Sequence, residues 1–198
     1  MTRDEGRGTS KAIPAALLVP LLFFALLPFL LPDRPPLART GGFGEPTCQQ
    51  CHFGNPLNDP AGRLTVTGLP DRFVGDSTYL VTLRLTRPGM AKAGFELAVR
   101  TSAGSDSGRQ AGKLEPTDGK SDVSDTTHAA FGRVQYARHT IFGSNVTSTD
   151  STRWTVKWKA PAKPTGAVVF HVAANAANDD ASELSDYIYT AVRTIAPK

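Results

Sequence analysis

Cys48, Gln49, Gln50, Cys51 and His52 place two thiols three positions apart, with an imidazole directly after the second. Thiols at that spacing can each form a thioether with one vinyl group of a haem, and the adjacent histidine then reaches the iron as its proximal ligand. Both cysteines of the 198-residue chain lie in this pentapeptide, so neither has another partner for a disulfide within the chain. The pattern therefore implies one covalent c-type haem per chain, held by Cys48, Cys51 and His52. Phe53, beside the proximal histidine, is the expected apolar contact. Two other chemistries use the same atoms. The two thiolates and His52 could supply three ligands to zinc, although the usual second C-x-x-C pair is missing. A redox dithiol or a structural disulfide is the other alternative, and the chain shows no βαβ context of the thioredoxin kind.

A second iron ligand is sought among His128, His139, His171 and Met90, or is not supplied by the protein at all. His139 ends an apparent strand, from which it can reach a haem tethered on a neighbouring loop, and it is the chosen distal ligand. His171 follows Phe170 on the opposite strand face. Met90 follows a Pro88-Gly89 turn and offers a soft thioether, which raises a haem potential. His128 sits in a polar stretch and reads as a solvated side chain. A histidine hydrogen-bonded to loop backbone is the plain alternative for His139.

The remaining candidates are weaker chemistry. Phe43, Trp154 and Trp158 could wall a porphyrin, but alternation puts both tryptophans on a core face. Arg133 or Arg138 could pair with a propionate. Asn175, Asn178, Asp179, Asp180, Glu183 and Asp186 offer hard oxygen ligands for calcium at a spacing that matches no EF-hand loop, and a solvated turn is their default reading. Asn145-Val146-Thr147 is a formal glycosylation sequon. No catalytic triad, phosphate loop or carboxylate pair is present. The net charge of +4 comes from scattered Lys and Arg that do not interleave with aromatics, which excludes a nucleic-acid surface.

The elements that must position the pentapeptide are read from the flanking pattern. Ala12 to Leu31 carries no charge and is preceded by Arg3, Arg7 and Lys11. That length suits a transmembrane helix serving as an uncleaved anchor, with a cleaved signal as the alternative. The expected organisation is a cytoplasmic tail over 1–11, the anchor over 12–31 and a Pro/Gly-rich linker over 32–47. The haem-attachment segment follows over 48–57, and a β domain over 58–198. Alternation predicts strands around Tyr79–Leu85, Phe95–Val99, Trp154–Trp158 and Val168–Ala173, with a last one over Tyr187–Val192. Leu64-Thr65-Val66 is a first short run. Residues 102–128 and 143–151 read as polar connections. The fold class is all-β, an antiparallel sandwich.

Several stretches of this body resemble the reeler (reelin-type) domain: Gly94-Phe95-Glu96-Leu97, Tyr136-Ala137-Arg138-His139-Thr140, Trp154 to Pro161, and Gly166-Ala167-Val168-Val169-Phe170. In bacterial proteins of the choice-of-anchor V type, such a domain similarly follows a Gly-rich stretch and a C-x-x-C-H segment, here Gly41 to His52. The ending Ala174 to Asp180 with Asp186-Tyr187-Ile188-Tyr189 is similar to that branch as well. The resemblance spans about residues 40 to 195. It implies an immunoglobulin-like sandwich, exported and held at the cell surface, and it says little about activity, since such domains are mostly extracellular modules without catalysis.

The expectation is a membrane-anchored, outward-facing, monohaem electron carrier that exchanges electrons with a redox partner protein. A surface binding or adhesion module with a structural haem, metal or disulfide is the alternative. An open-site haem sensor or peroxidase-like enzyme is a third.

Overall fold

In the computed structural model, Met1 and residues 35–198 are described. The expected span over 12–31 lies outside the described residues, among which no helix is long and apolar enough to cross a membrane.

Among the described residues there are ten strands. They are β1 (Arg63–Thr67), β2 (Arg72–Phe73), β3 (Thr78–Thr86), β4 (Lys92–Thr101), β5 (Lys113–Pro116), β6 (Ser121–His128), β7 (Gly132–His139), β8 (Ser151–Lys159), β9 (Val168–Ala177) and β10 (Tyr187–Pro197). They form two sheets, one ordered β1-β3-β8-β5 and the other β2-β10-β9-β4-β7-β6. Every pairing is antiparallel except the short edge contact of β2 with β10. The described residues thus form an all-β two-sheet sandwich, as expected.

The facing sides are apolar at alternate positions, as a pleat requires. Val81, Leu83 and Leu85 of β3 meet Phe95, Leu97 and Val99 of β4 and Val168, Phe170 and Val172 of β9 in one core. Trp154 and Trp158 are fully buried there, as predicted. Their indole N–H groups donate to the carbonyls of Gly143 at 2.7 Å and Ala111 at 2.9 Å. Burial of so polar a group requires such a partner. Trp158 also packs against Phe73, Tyr79 and Phe170.

The outer face of the six-stranded sheet is covered as well, and this differs from the sequence expectation. Residues 35–47, read as a linker, lie across it. Their Ala38 and Arg39 N–H groups donate to Glu96 of β4, at 3.0 and 2.8 Å. Leu37 and Ala38 pack with Ala98, Val134 and Tyr136 in a second, smaller apolar cluster. Both faces of β4 are therefore buried, which is why Glu96 and Arg100 alternate with core residues yet are closed off from solvent. The polar stretch 102–128 also departs from expectation, because it contains β5 and β6. Ser, Thr and Asp at the outward positions of β6 hid its period in the sequence.

Candidate functional site

The segment that follows this strap turns sharply. Thr47 caps a single 3₁₀ turn over Cys48–Gln50, its hydroxyl accepting the Gln49 N–H at 3.2 Å. The Cys51 and His52 N–H groups both donate to the Cys48 carbonyl, at 3.2 and 3.0 Å. This tight turn brings Cys48, Cys51 and His52 to the wall of one cavity of about 210 Å³. The other walls are Pro35, Pro36 and Arg39 of the strap, Lys92 to Glu96 of β4, Asn175 and Ala177 of β9, Ser144, and His139.

His52 is fixed at one nitrogen and open at the other. Its Nδ1 lies 2.7 Å from Asp186 Oδ2, and Asp186 is almost wholly buried. Asn175 donates to the same carboxylate oxygen at 2.9 Å. With Nδ1–H directed at Asp186, the lone pair is on Nε2, which has no protein partner among the described residues.

His139 is placed in the same manner from the other side of the chain. Its Nδ1 faces both backbone groups of Phe95, the N–H at 3.1 Å and the carbonyl at 3.3 Å. Each neutral tautomer thus finds a partner, and donation to the carbonyl leaves Nε2 bare for a metal. Burial, the main cause, holds the His139 pKa below the usual imidazole value, against the opposing backbone contact; the Arg138 and His52 charges lower it further. A neutral ring is the form that ligates. The ring fits because position 94 is glycine: a Cβ there would come within 2.5 Å of His139 Cε1.

Two thiols at a cavity wall could also act as a redox pair, and the electrostatics oppose that. Burial first, and then the nearby Glu96 carboxylate, pushes the Cys48 thiol up to about 12. A thiol so protonated is a poor nucleophile near neutral pH. The two cysteines are not bonded to each other. Among the described residues no three His, Cys, Asp or Glu side chains are grouped to hold a metal ion.

No family model and no curated protein matches the chain. Solved structures do. The human F-spondin reeler domain (fragment 1) is 21% identical, over 70% of this chain and 89% of that one, with a TM-score of 0.43. The Reelin-N domain of F-spondin is 17% identical over 76% and 95%, with a TM-score of 0.46. AvmM, which catalyses macrocyclization in alchivemycin A biosynthesis, is 14% identical over 71% and 90%, with a TM-score of 0.44. At these identities and TM-scores the likeness carries no argument about activity.

Of the histidines and the methionine weighed as second ligand, His139 alone lines the cavity with the pentapeptide. Met90 is buried in the core between the sheets. His171 packs beside Gly42 and Phe43, with ring centroids of His171 and Phe43 5.4 Å apart. His128 bonds the Tyr136 hydroxyl at 2.7 Å.

Phe53 is not at the cavity wall. Its backbone bonds Glu183 and Ser185, and its ring is half exposed on the protein surface. Arg133 pairs with Asp125 near a solvent-exposed edge. Arg138 donates to the Pro35 carbonyl and to Ser124. The cations that do line the cavity are Arg39 and Lys92. In the proposed calcium cluster, Asn178 and Asp180 bond to each other, while Asn175 and Asp186 turn inward to His52.

Asp186, Asn175 and Glu96 are the site residues that sequence reasoning missed or assigned elsewhere. The carboxylate partner of a ligating histidine carries no local signature, and only the pairing of β9 with β10 brings Asn175 and Asp186 to the loop.

Proposed function

We propose that Cys48, Cys51 and His52 hold one covalent c-type haem at this cavity, that His139 is the second protein ligand, and that the protein carries electrons. One observation carries the reading: His139 lines the same cavity as the pentapeptide, although β1 to β6 separate the two and His139 ends β7. The bound haem would supply a one-electron iron couple.

The chain's own residues do the rest. Asp186 and Asn175 orient the His52 ring, and the Phe95 backbone orients that of His139. Arg39 and Lys92 put positive charge at a wall where carboxylate groups of a cofactor need it. The cavity is smaller than the roughly 300–1,000 Å³ of pockets that enclose an organic ligand. A cofactor there keeps part of its surface in solvent, which suits exchange with a redox partner protein. His52 and His139 would together hold the iron and leave no open position for substrate, so single-electron transfer is favoured over catalysis. In this reading residues 12–31 anchor the protein and the sandwich lies outside the cytoplasm, where c-type haem is attached.

The experiment is the visible spectrum of His139→Ala beside Met90→Leu and His171→Ala, each matured with covalent haem. Loss of the low-spin spectrum in His139→Ala alone is expected. A low-spin spectrum retained in His139→Ala overturns the ligand assignment.

A further inference from the structure

The partner of His52 is a buried carboxylate, and a carboxylate does more to an imidazole than hold it in place. Asp186 Oδ2 lies 2.7 Å from Nδ1, and its other oxygen, Oδ1, is buried without a hydrogen-bond partner among the described residues. The charge of Asp186 is thus answered by two N–H groups converging on one oxygen, from His52 at 2.7 Å and Asn175 at 2.9 Å. That convergence explains why Asn175 Nδ2 and His52 Nδ1 approach to 3.1 Å although both are donors. Removing charge from solvent strengthens its effect on a hydrogen-bonded neighbour. A carboxylate accepting the Nδ1 proton raises the basicity of the ring at Nε2 and fixes its tautomer and orientation.

We infer that Asp186 is a positioning residue that lowers the reduction potential of the site through His52, and that Asn175 moderates this by sharing the same carboxylate oxygen. The inference rests on the haem reading above. The electron enters and leaves singly by exchange with a redox partner protein. No bond forms or breaks, and the proton stays on His52 Nδ1. Extra electron density at Nε2 favours the oxidised iron, so the hydrogen bond pulls the potential down. Asn175 draws on the lone pairs of Oδ2 and weakens the pull. The two side chains therefore act with opposite sign.

The opposite signs make the test. Full-length protein, Asp186→Asn and Asn175→Ala are matured with covalent haem, and the midpoint potential of each is measured by spectroelectrochemical titration. Asp186→Asn is expected to favour reduction about tenfold, a rise of about 59 mV for a one-electron couple. Asn175→Ala is expected to lower the potential. A merely structural role moves both in one direction or neither, and either result overturns the inference. Should Asp186→Asn fail to fold, the sign of the Asn175→Ala shift decides: downward supports the inference, upward or absent overturns it. Wild-type protein without covalent haem overturns the haem reading and this inference together, whereas covalent haem with unmoved potentials overturns this inference alone.

Discussion

Arg100 of β4 and Glu45 of the strap form an ion pair that is closed off from solvent, their side chains 1% and 6% exposed. Tyr136 donates to the same Glu45 oxygen and also receives a hydrogen bond from Arg100. Thr40 donates to the other Glu45 oxygen at 2.6 Å. The Phe43 and Phe131 rings stand 5.3 and 5.5 Å from the guanidinium. This cluster clamps the strap to the sheet three residues before Cys48. It therefore sets where the cysteine pair emerges.

Removing one partner of a buried pair leaves the other charge without compensation, at a cost of about 3–5 kcal/mol. Glu45→Ala is expected to lose that much stability in urea denaturation. A loss below about 1 kcal/mol would show that the strap is held by its apolar contacts and by Glu96 instead.

Glu96 gives the fold an unusual pH dependence. Burial, its largest influence, raises the carboxyl to about 7 against the opposing N–H groups of Arg39 and Ala38 and the charges of Arg138 and Arg39. The folded state then binds a proton more tightly than the unfolded state. Its contribution is fully present below the ordinary value of 4.5 and is lost as pH rises through about 7. His128, His139 and His171 act oppositely, because burial lowers each of them. They favour the folded state as pH rises toward 6.5. Subtracting the Glu96→Gln profile from wild type isolates the carboxyl: the wild type should lose roughly 3 kcal/mol more than the variant between pH 4.5 and 7.5. Parallel profiles would contradict the burial of this charge.

Gly94 leaves the space that the His139 ring fills. In Gly94→Ala the new methyl meets the ring within 2.5 Å at Cε1 and 2.9 Å at Nδ1, so the ring must leave the Phe95 backbone. Overpacking of this kind costs about 1–3 kcal/mol. The expected outcome is a lowered melting temperature together with loss of the low-spin spectrum in the haem-loaded protein. A variant that melts lower but keeps that spectrum would mean His139 is only a structural contact.

What the sequence disclosed follows from what is local. Alternation at Tyr79–Leu85 and Trp154–Trp158 predicted β3 and β8, and the inward tryptophans, because the sheet period is written in neighbouring residues. The spacing of Cys48, Cys51 and His52 is local in the same sense. His139 was reachable because it ends a recognisable strand. The strap was not legible. Glycine and proline mark residues 40–46 as irregular, but it is Arg100 and Tyr136, far along the chain, that make Glu45 a structural residue. Glu96 looked like an outward-facing position for the same reason, since nothing near it announces that residues 35–47 cover that face. Asp186 was grouped with its acidic neighbours, whereas β-pairing alone aims it at His52. Phe53 was placed by adjacency to His52, and its ring is half exposed and outside the cavity lining.

The most direct measurement is a pyridine haemochrome assay with a visible spectrum, on full-length protein co-expressed with haem-c maturation machinery. One covalent c-type haem per chain with a low-spin iron is the expected result. Protein that matures without covalent haem would contradict it.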